Sequence, residues 1–444
     1  MSQFRSLTDI STRVQRGFMQ ITAGGQWTGE LDATTQRNLR WFFFDGLFFS
    51  ISDAIVLTYL TLYLLALGAT SAQIGFMAAL GSLNATLLLI PGAMLAERLG
   101  RRKLIVVMAG GGISRISLLL LAVTPFLFDA PFAVYFAIGL KILADGMTNL
   151  GIPAWTSLSA DIVPLQSRGR YFGARNMAMG AANMVTILLI GFLLTRMDSL
   201  TGYQIVLALA FLIGLGATYS YARIDEPPRT TAIKERQSYR PAELIKIFTT
   251  DKTFLAFSAH AMVWNIALAI AGPFFNVHMV QNMNATAVMV GLVTMVSSLT
   301  SLPGLRLFGQ LSDRIGPRRV QLMTGLLIPL LPLAWIFITH PWQAMVVNVF
   351  GGFLWAGYNL ASFNYLLLLI PADQRERYTA LYQIVVMAAS AGGAAMGGLV
   401  ATQWGFTTNF ALSAAGRALA ILIFVLFVRQ VKVRPMLEEP ITAS

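Results

Sequence analysis

The sequence contains no cysteine and only three histidines (His260, His278 and His340). The absence of cysteine excludes disulfide scaffolds, thiolate zinc sites, iron–sulfur clusters and cysteine nucleophiles. The shortage of histidine argues against a histidine-rich metal centre. The sequence also lacks a G-x-x-x-x-G-K-[ST] nucleotide-binding motif, so an ion gradient would have to drive any concentrative work.

Charge is scarce as well. Only 12% of the 444 residues are charged and 56% are hydrophobic, with a mean hydropathy of +0.65. Soluble proteins carry about twice that share of charged residues. This composition excludes an ordinary soluble enzyme, a disordered chain and a fibrous protein. The net charge of +12 is therefore interpreted relative to a membrane and its anionic headgroups, not as a sign of nucleic-acid binding.

Apolar stretches of membrane-spanning length recur along the chain. A helix needs about 20 apolar residues to cross the bilayer, and its backbone polar groups need internal partners in lipid. We predict twelve spanning helices, at residues 39–67, 72–94, 104–127, 132–161, 173–195, 203–223, 253–279, 286–308, 318–339, 342–370, 378–401 and 405–428.

Basic residues are distributed very unevenly around these spans. The N-terminus, the loops after even-numbered helices and the C-terminus together receive 28 of the 32 lysines and arginines, whereas the opposite loops receive only Arg196. Because basic loops stay in the cytoplasm, both termini are predicted to be cytoplasmic. We expect a multi-pass protein of the cell membrane, either an inner or a plasma membrane.

The polar segments suggest the domain boundaries. Residues 1–36 form a predicted cytoplasmic extension without a cleavable signal peptide, either an amphipathic helix on the inner leaflet or a partly ordered tail. Residues 37–223 and 253–430 form two bundles. Residues 224–252 are polar and proline-containing, and we predict that they link the bundles in the cytoplasm. Residues 431–444 form a cytoplasmic tail.

A duplication relates the two bundles. Glu97-Arg98-Leu-Gly100-Arg101-Arg102 follows the second span, and Asp313-Arg314-Ile-Gly316-Pro-Arg318-Arg319 follows the eighth, at an offset of 216 residues. A second pair of segments, starting at Pro164 and Pro371, repeats after the fourth and tenth spans at an offset of 207. Two motifs in the same order indicate two copies of a six-helix unit.

With this doubled loop, the sequence resembles the major facilitator superfamily of secondary transporters from about residue 37 to 430. The family motif is G-x-x-x-D-R-x-G-R-R. The second copy fits it closely, at Gly309, Asp313, Arg314, Gly316, Arg318 and Arg319. The first copy has Glu97 in place of the usual aspartate and Ala93 at the position that matches Gly309. The resemblance implies an all-α integral membrane protein with twelve transmembrane helices in two pseudo-symmetric six-helix bundles. It also implies transport of a small molecule by alternating access.

The acid within each basic loop suggests a gate on the cytoplasmic side. An acid at the membrane edge can face the positive end of a neighbouring helix. The resemblance implies that this neighbour is helix 11 for Glu97 and helix 5 for Asp313, so that the contacts hold the cytoplasmic side closed. Alternatively, these charges only set the topology. The predicted gate consists of Glu97, Arg98, Gly100, Arg101, Arg102, Asp313, Arg314, Gly316, Arg318 and Arg319.

Ionisable residues inside the membrane are candidates for a role in transport, because placing a charged side chain in the bilayer costs free energy. Asp45 and Asp53 lie in helix 1, and Lys141 and Asp145 lie in helix 4 with Asn149 on approximately the same face. Three acids with one base leave surplus negative charge, and a surplus carboxylate in a low dielectric can take up a proton near neutral pH. These residues therefore predict proton coupling or substrate contact; a structural ion pair between Lys141 and an aspartate is the alternative.

In the second bundle, uncharged polar and aromatic residues suit a neutral or mildly polar substrate, although ordinary helix packing explains about half of them. The candidates are His260, Trp264, Asn265, Trp355, Tyr358 and Asn359. The resemblance implies that helix 3, with Arg115, and helix 12, with Arg417, are peripheral, so structural pairing or snorkelling is the expected role of these arginines.

These observations favour a proton-coupled secondary transporter whose partners are a small-molecule substrate, a coupling ion and the lipid bilayer. No cofactor, metal site or nucleic-acid partner is expected, and we expect a monomer. Three alternatives stay open: an uncoupled facilitator, a transport-inactive sensor or scaffold, and a membrane-embedded enzyme. The last lacks support, because the sequence shows no nucleophile–base pair and no H-E-x-x-H motif.

Overall fold

The computed structural model describes residues 31–164, 167–197, 199–227, 248, 250–370 and 375–428. Every regular element in these ranges is a helix. Most of the predicted N-terminal extension and linker, and all of the predicted tail at 431–444, lie outside the described residues. Those boundaries therefore stay predictions.

The first half of the chain forms six helices. Thr70 caps α2 through a capping box with Gln73, and Gly100 ends it with a positive φ of 62° that glycine adopts without strain. A π-helical segment, Val107–Ile113, interrupts α3. The six are α1 (Ala33–Ala66), α2 (Ser71–Leu99), α3 (Arg102–Leu127), α4 (Phe132–Ile162), α5 (Arg168–Leu194) and α6 (Ser199–Ala222).

The second half repeats this order. The last helical stretch, Arg375–Phe427, has non-helical backbone angles at Gly405, which divide it into α11 (375–404) and α12 (406–427). Pro317 occupies the first turn of α9, directly after the motif glycine Gly316. The other helices are α7 (Lys252–Met283, interrupted at residues 272–273), α8 (Ala287–Ile315), α9 (Pro317–Ile336) and α10 (Pro341–Leu369).

The helix count confirms the sequence prediction. In the described residues, ten helical segments are long and apolar enough to cross a membrane, and the last of them, Tyr378–Phe427, contains both α11 and α12. The twelfth is α4, a 31-residue helix that carries Lys141 and Asp145. The molecule is thus an all-α, multi-pass membrane protein with six helices in each half.

The two halves pack against each other mainly on one side of the molecule. We call the side where α1 begins and α12 ends the terminal side, and the other the opposite side. Two buried apolar clusters contain residues of both halves, and both lie towards the opposite side; Leu194 and Ala287 belong to one of them. Each of the other five described clusters belongs to one half alone. Apolar packing therefore seals the halves together on the opposite side.

Candidate functional site

Lys141 and Asp145 form an ion pair on α4. The Lys141 Nζ lies 2.5 Å from each carboxylate oxygen of Asp145. The two residues are one helical turn apart and so share a face. Asn149 continues that face, and its side-chain amide donates to the backbone carbonyl of Asp145 over 2.8 Å. The predicted contact between Lys141 and an acid is therefore present, within one helix.

Asp53 of α1 is exposed, although it lies near the middle of a spanning helix. Among the described residues it has no ion pair within 4.0 Å. The charged groups that act on it electrostatically are Lys141 of α4, Arg115 of α3 and Asp145 of α4. Asp145 itself is 36% exposed. The structure thus brings the predicted cluster of Asp53, Lys141 and Asp145 together from two helices.

Asp45 has a different environment from the other acids. It is buried, and its Oδ2 lies 3.4 Å from Nη2 of Arg175 on α5. Arg175 also donates from Nε to the backbone carbonyl of Phe42 over 3.1 Å. By its position near the start of α5, Arg175 is one of the 28 basic residues counted with the termini and the basic loops. The expected excess of three acids over one base is therefore wrong, because Arg175 neutralises Asp45.

Arg115 has a structural environment, as expected for its helix. It is buried, and its Nη1 donates to the Ser52 hydroxyl over 2.9 Å. Ser52 in turn donates to the backbone carbonyl of Ala210 over 2.8 Å, so the contact ties α3, α1 and α6 together. Once the pairs of Asp45 and Asp145 are set aside, Asp53 is the acid in this half's membrane region that lacks an ion pair within the described residues.

His260, Trp264 and Tyr358 form a packed interior rather than a cavity wall. The His260 Nδ1 lies 2.8 Å from the carbonyl oxygen of Ala420, and its Nε2 lies 3.0 Å from the Tyr358 hydroxyl. The Trp264 ring stacks on Tyr358 with centroids 4.3 Å apart. All three are buried. Helix packing accounts for these three predicted residues.

The two predicted asparagines of this half also differ from each other. Asn265 donates to the backbone carbonyl of Ala261 over 2.8 Å within α7. Asn359 of α10 is exposed. Neither of the two asparagines lines the cavity of this half.

A cavity of about 440 Å³ lies within the second half, lined by residues of α7, α8, α9, α10 and α12. Of the predicted site residues, Trp355 lines it. So does Arg417 of α12, which the sequence analysis assigned a structural or snorkelling role. Arg417 is only 3% exposed, and its Nε is buried without a partner. The sequence does contain a signal for Arg417: it is a basic residue in the middle of a spanning helix, in a half that has no acidic residue at the same depth.

The motif residues contact their own half of the molecule. Arg102 is buried, and its Nη1 lies 2.5 Å from Asp161 Oδ2 while its Nε lies 3.2 Å from Glu226 Oε1. Arg318 donates from Nε to the carbonyl oxygen of Val428 over 3.0 Å. Asp313 is exposed and has no ion pair within the described residues.

In the described part of the structure, the remaining motif residues form no ion pair between the two halves. The glycines Gly100 and Gly316 both have positive φ values, of 62° and 85°, as expected for tight turns. Four of the motif arginines are exposed, namely Arg98, Arg101, Arg314 and Arg319. The Glu97 side chain lies outside the described part of the structure. The gating role therefore stays a prediction.

Comparison with protein families gives two matches that together cover most of the chain. The model of the Major Facilitator Superfamily matches residues 42–278 and again residues 265–443. No curated protein sequence matches the chain.

Solved transporters share the fold at low sequence identity. The nucleoside transporter NupG is 13% identical with a TM-score of 0.69, over 89% of this chain and 100% of that one. A bacterial metal transporter is 15% identical with a TM-score of 0.67, over 90% and 100%. A D-xylose-proton symporter is 15% identical with a TM-score of 0.68, over 88% and 97%. At such identities the likeness extends to the fold alone.

Proposed function

The chain belongs to the Major Facilitator Superfamily, and on that premise we propose that it is a proton-coupled secondary transporter working by alternating access. The family matches confirm the resemblance inferred from the doubled motif. The fold of a membrane transporter is the established part. Proton coupling and the identity of the substrate are proposals beyond the fold. One observation supports proton coupling: Asp53 is a mid-membrane acid without an ion pair in the described structure.

The coupling role follows from the cost of burying charge. An exposed carboxylate between α1 and α4 is hydrated while the halves are separated around it. Closing the site would strip that water, and the cost of an isolated buried carboxylate is several kcal/mol or more. Lys141 is already 2.5 Å from Asp145, so it cannot fully neutralise Asp53 as well. One proton on Asp53 removes the cost and makes closure depend on protonation.

Reconstitution tests the coupling. Nucleosides, D-xylose and benzoate are first screened for a rise in the unfolding temperature, because a ligand of the native state stabilises it by mass action. The ligand that binds is then supplied to proteoliposomes under an imposed pH gradient. Asp53→Asn should abolish gradient-driven accumulation while binding and exchange persist.

Asp45→Asn is the matched control, since Asp45 is buried against Arg175. It should retain gradient dependence in whatever fraction of the protein folds. If Asp53→Asn and Asp145→Asn both retain full pH-gradient-driven transport, the carboxylates are structural and the coupling proposal fails.

The alternative of an uncoupled facilitator rests on the ion pair between Lys141 and Asp145. That pair is complete within α4, so it can stabilise the helix in the membrane without any role in transport. A facilitator would equilibrate its substrate across the membrane at the same rate with and without a pH gradient. It would also tolerate Asp53→Asn.

We further propose that the terminal side faces the cytoplasm of a cell membrane, on the basis of the uneven distribution of basic residues. Both termini and residues 224–252 should then resist protease added outside intact cells. Cleavage of that linker from outside would reverse the orientation.

A further inference from the structure

Arg417 is a buried cation in the middle of α12. Its side chain is 3% exposed, its Nε has no hydrogen-bond partner, and it forms no ion pair within the described residues. Its guanidinium carbon lies 5.9 Å from the centroid of the Trp355 ring. An unpaired buried charge is strongly destabilising unless something compensates it. The absence of a protein partner therefore needs an explanation.

The sequence of the second half offers no acid that could supply the missing charge at this depth. From residue 251 to 428 the acids are Asp251, Asp313, Asp373 and Glu376. Each lies at or beyond the terminal-side end of a helix, whereas Arg417 lies midway along α12. The compensating anion is therefore not part of this half of the protein.

Arg417 lines the cavity of about 440 Å³, which lies within the size range of small-molecule sites. Trp335, Trp355 and Phe275 supply aromatic wall, and the amides of Asn276 and Asn348 lie on the same wall. The Asn276 side chain has no hydrogen-bond partner among the described residues. The Asn348 amide already donates to the backbone carbonyl of Ala344 over 2.9 Å. The cavity thus offers one cation, the free Asn276 amide and flat apolar surfaces.

We propose that this cavity binds a small organic acid whose single carboxylate pairs with Arg417 and whose aromatic or apolar body packs on the tryptophans. A guanidinium binds a carboxylate through two parallel hydrogen bonds. One arginine without a second basic residue in the lining matches a monoanion better than a phosphate, which carries more charge. This assignment rests on the proposed transport function, because it names the class of substrate.

The assignment differs from the sequence-based expectation of a neutral or mildly polar substrate. That expectation came from the uncharged residues of α7 and α10. Three of them, His260, Trp264 and Tyr358, pack against one another away from the cavity. Arg417 of α12 lines the cavity and is charged, whereas α7 and α10 have no charged residue in the middle of their spans.

Thermal unfolding at pH 7.5 of the purified full-length protein in detergent tests the assignment. The probes are benzoate, phenylacetate and 3-phenylpropanoate, each compared with its uncharged amide. At least one acid should raise the unfolding temperature of the wild type more than its amide does. Arg417→Gln should weaken that binding roughly tenfold to a hundredfold, the usual effect of losing a charged hydrogen bond.

Arg115→Gln is the matched control, because Arg115 is also a buried arginine in a spanning helix but lies outside the cavity lining. It should bind the acids as the wild type does. Without ligand, Arg417→Gln should be at least as stable as the wild type, because it removes an uncompensated charge. An arginine with a purely structural role would instead lose stability when replaced.

Three results would overturn the assignment: no acid of the panel stabilises the wild type more than its amide, Arg417→Gln binds the acids normally, or Arg417→Gln unfolds at a markedly lower temperature. Asn276→Leu and Trp355→Ala change the same cavity without changing its charge, and unaltered acid binding in both also overturns it. Asp53→Asn should still bind the acid. Loss of accumulation with binding intact therefore separates the coupling proposal from the binding site.

Discussion

Arg175 of α5 reaches across the first half to Asp45 of α1, with Nη2 and Oδ2 3.4 Å apart and both side chains buried. The guanidinium also lies over the Phe42 ring, 4.3 Å from its centroid. Asp45 is therefore held in place, whereas Asp53 two turns further along α1 is exposed. Two acids of one helix thus have different environments, because only Asp45 has a buried basic partner.

Removing one member of this pair should be costly. We expect Arg175→Gln to lower the free energy of unfolding by about 3–5 kcal/mol, because it leaves the buried Asp45 carboxylate without its cation. The double variant Asp45→Asn/Arg175→Gln should recover much of that loss, since it removes both charges. Thermal or denaturant unfolding of the four proteins in one detergent measures the coupling. Strictly additive losses would show that the two side chains do not interact.

The helical architecture could be predicted because the membrane constrains it so strongly. Long apolar stretches have to be helices in lipid, and the doubled motif divides them into two sets of six. The breaks within helices were not predicted. The π-helical segment of α3 and the interruption of α7 at residues 272–273 depend on local glycine and proline, which hydropathy averages over.

The candidate site was predicted only in part. Asp53, Lys141 and Asp145 could be found because charge within an apolar helix is conspicuous. The partner of Asp45 was missed, since Arg175 lies close to the basic terminal end of α5 and looked like a topology signal. Arg417 was conspicuous in the sequence as a charge within an apolar helix. Its position in the wall of a cavity depends on how five helices pack, which the sequence of a single helix does not reveal.

The close approach of α2 and α11 should be needed to seal the opposite side. A Cβ atom on Gly398 would lie 3.2 Å from the Cα atoms of Ala72 and Gly75 on α2, which is already a tight contact, so the two further methyl groups of a valine do not fit there. Gly398→Val should push the helices apart at a cost of about 1–3 kcal/mol and favour states open on the opposite side. Thiol labelling of single cysteines introduced where the two halves face each other would measure this opening, because the protein has no native thiol.

Gly392→Val provides the control for that experiment. Gly392 lies on the same helix, but a Cβ there would meet no atom within 4 Å. The Gly392→Val variant changes helix propensity in the same way as Gly398→Val, but it adds no side chain between α2 and α11. Equal labelling of the Gly392 and Gly398 variants would contradict a sealing role for the contact.

The motif acids should act when the terminal side closes. Asp313 is exposed and has no ion pair within the described residues. Asp313→Asn and Glu97→Gln should each reduce crosslinking between cysteine pairs placed across the terminal-side ends of the two halves. Asp129→Asn, in the loop between α3 and α4 on the opposite side, should leave crosslinking unchanged. Unchanged crosslinking in both motif variants would leave the acids as topology signals only.

Lys141 should set the pH range over which the coupling works. Its ammonium is 2.5 Å from the Asp145 carboxylate and is among the charges that face Asp53. Removing it with Lys141→Ala takes away a cation that favours the ionised acids, so a proton is held more readily and up to higher pH. The alkaline limb of gradient-driven accumulation should then move to higher pH. Lys141→Arg keeps the charge and should keep the profile near that of the wild type. If Lys141→Ala lowers the amount of folded protein but leaves the profile of the remainder unchanged, the ion pair on α4 stabilises the helix and has no part in coupling.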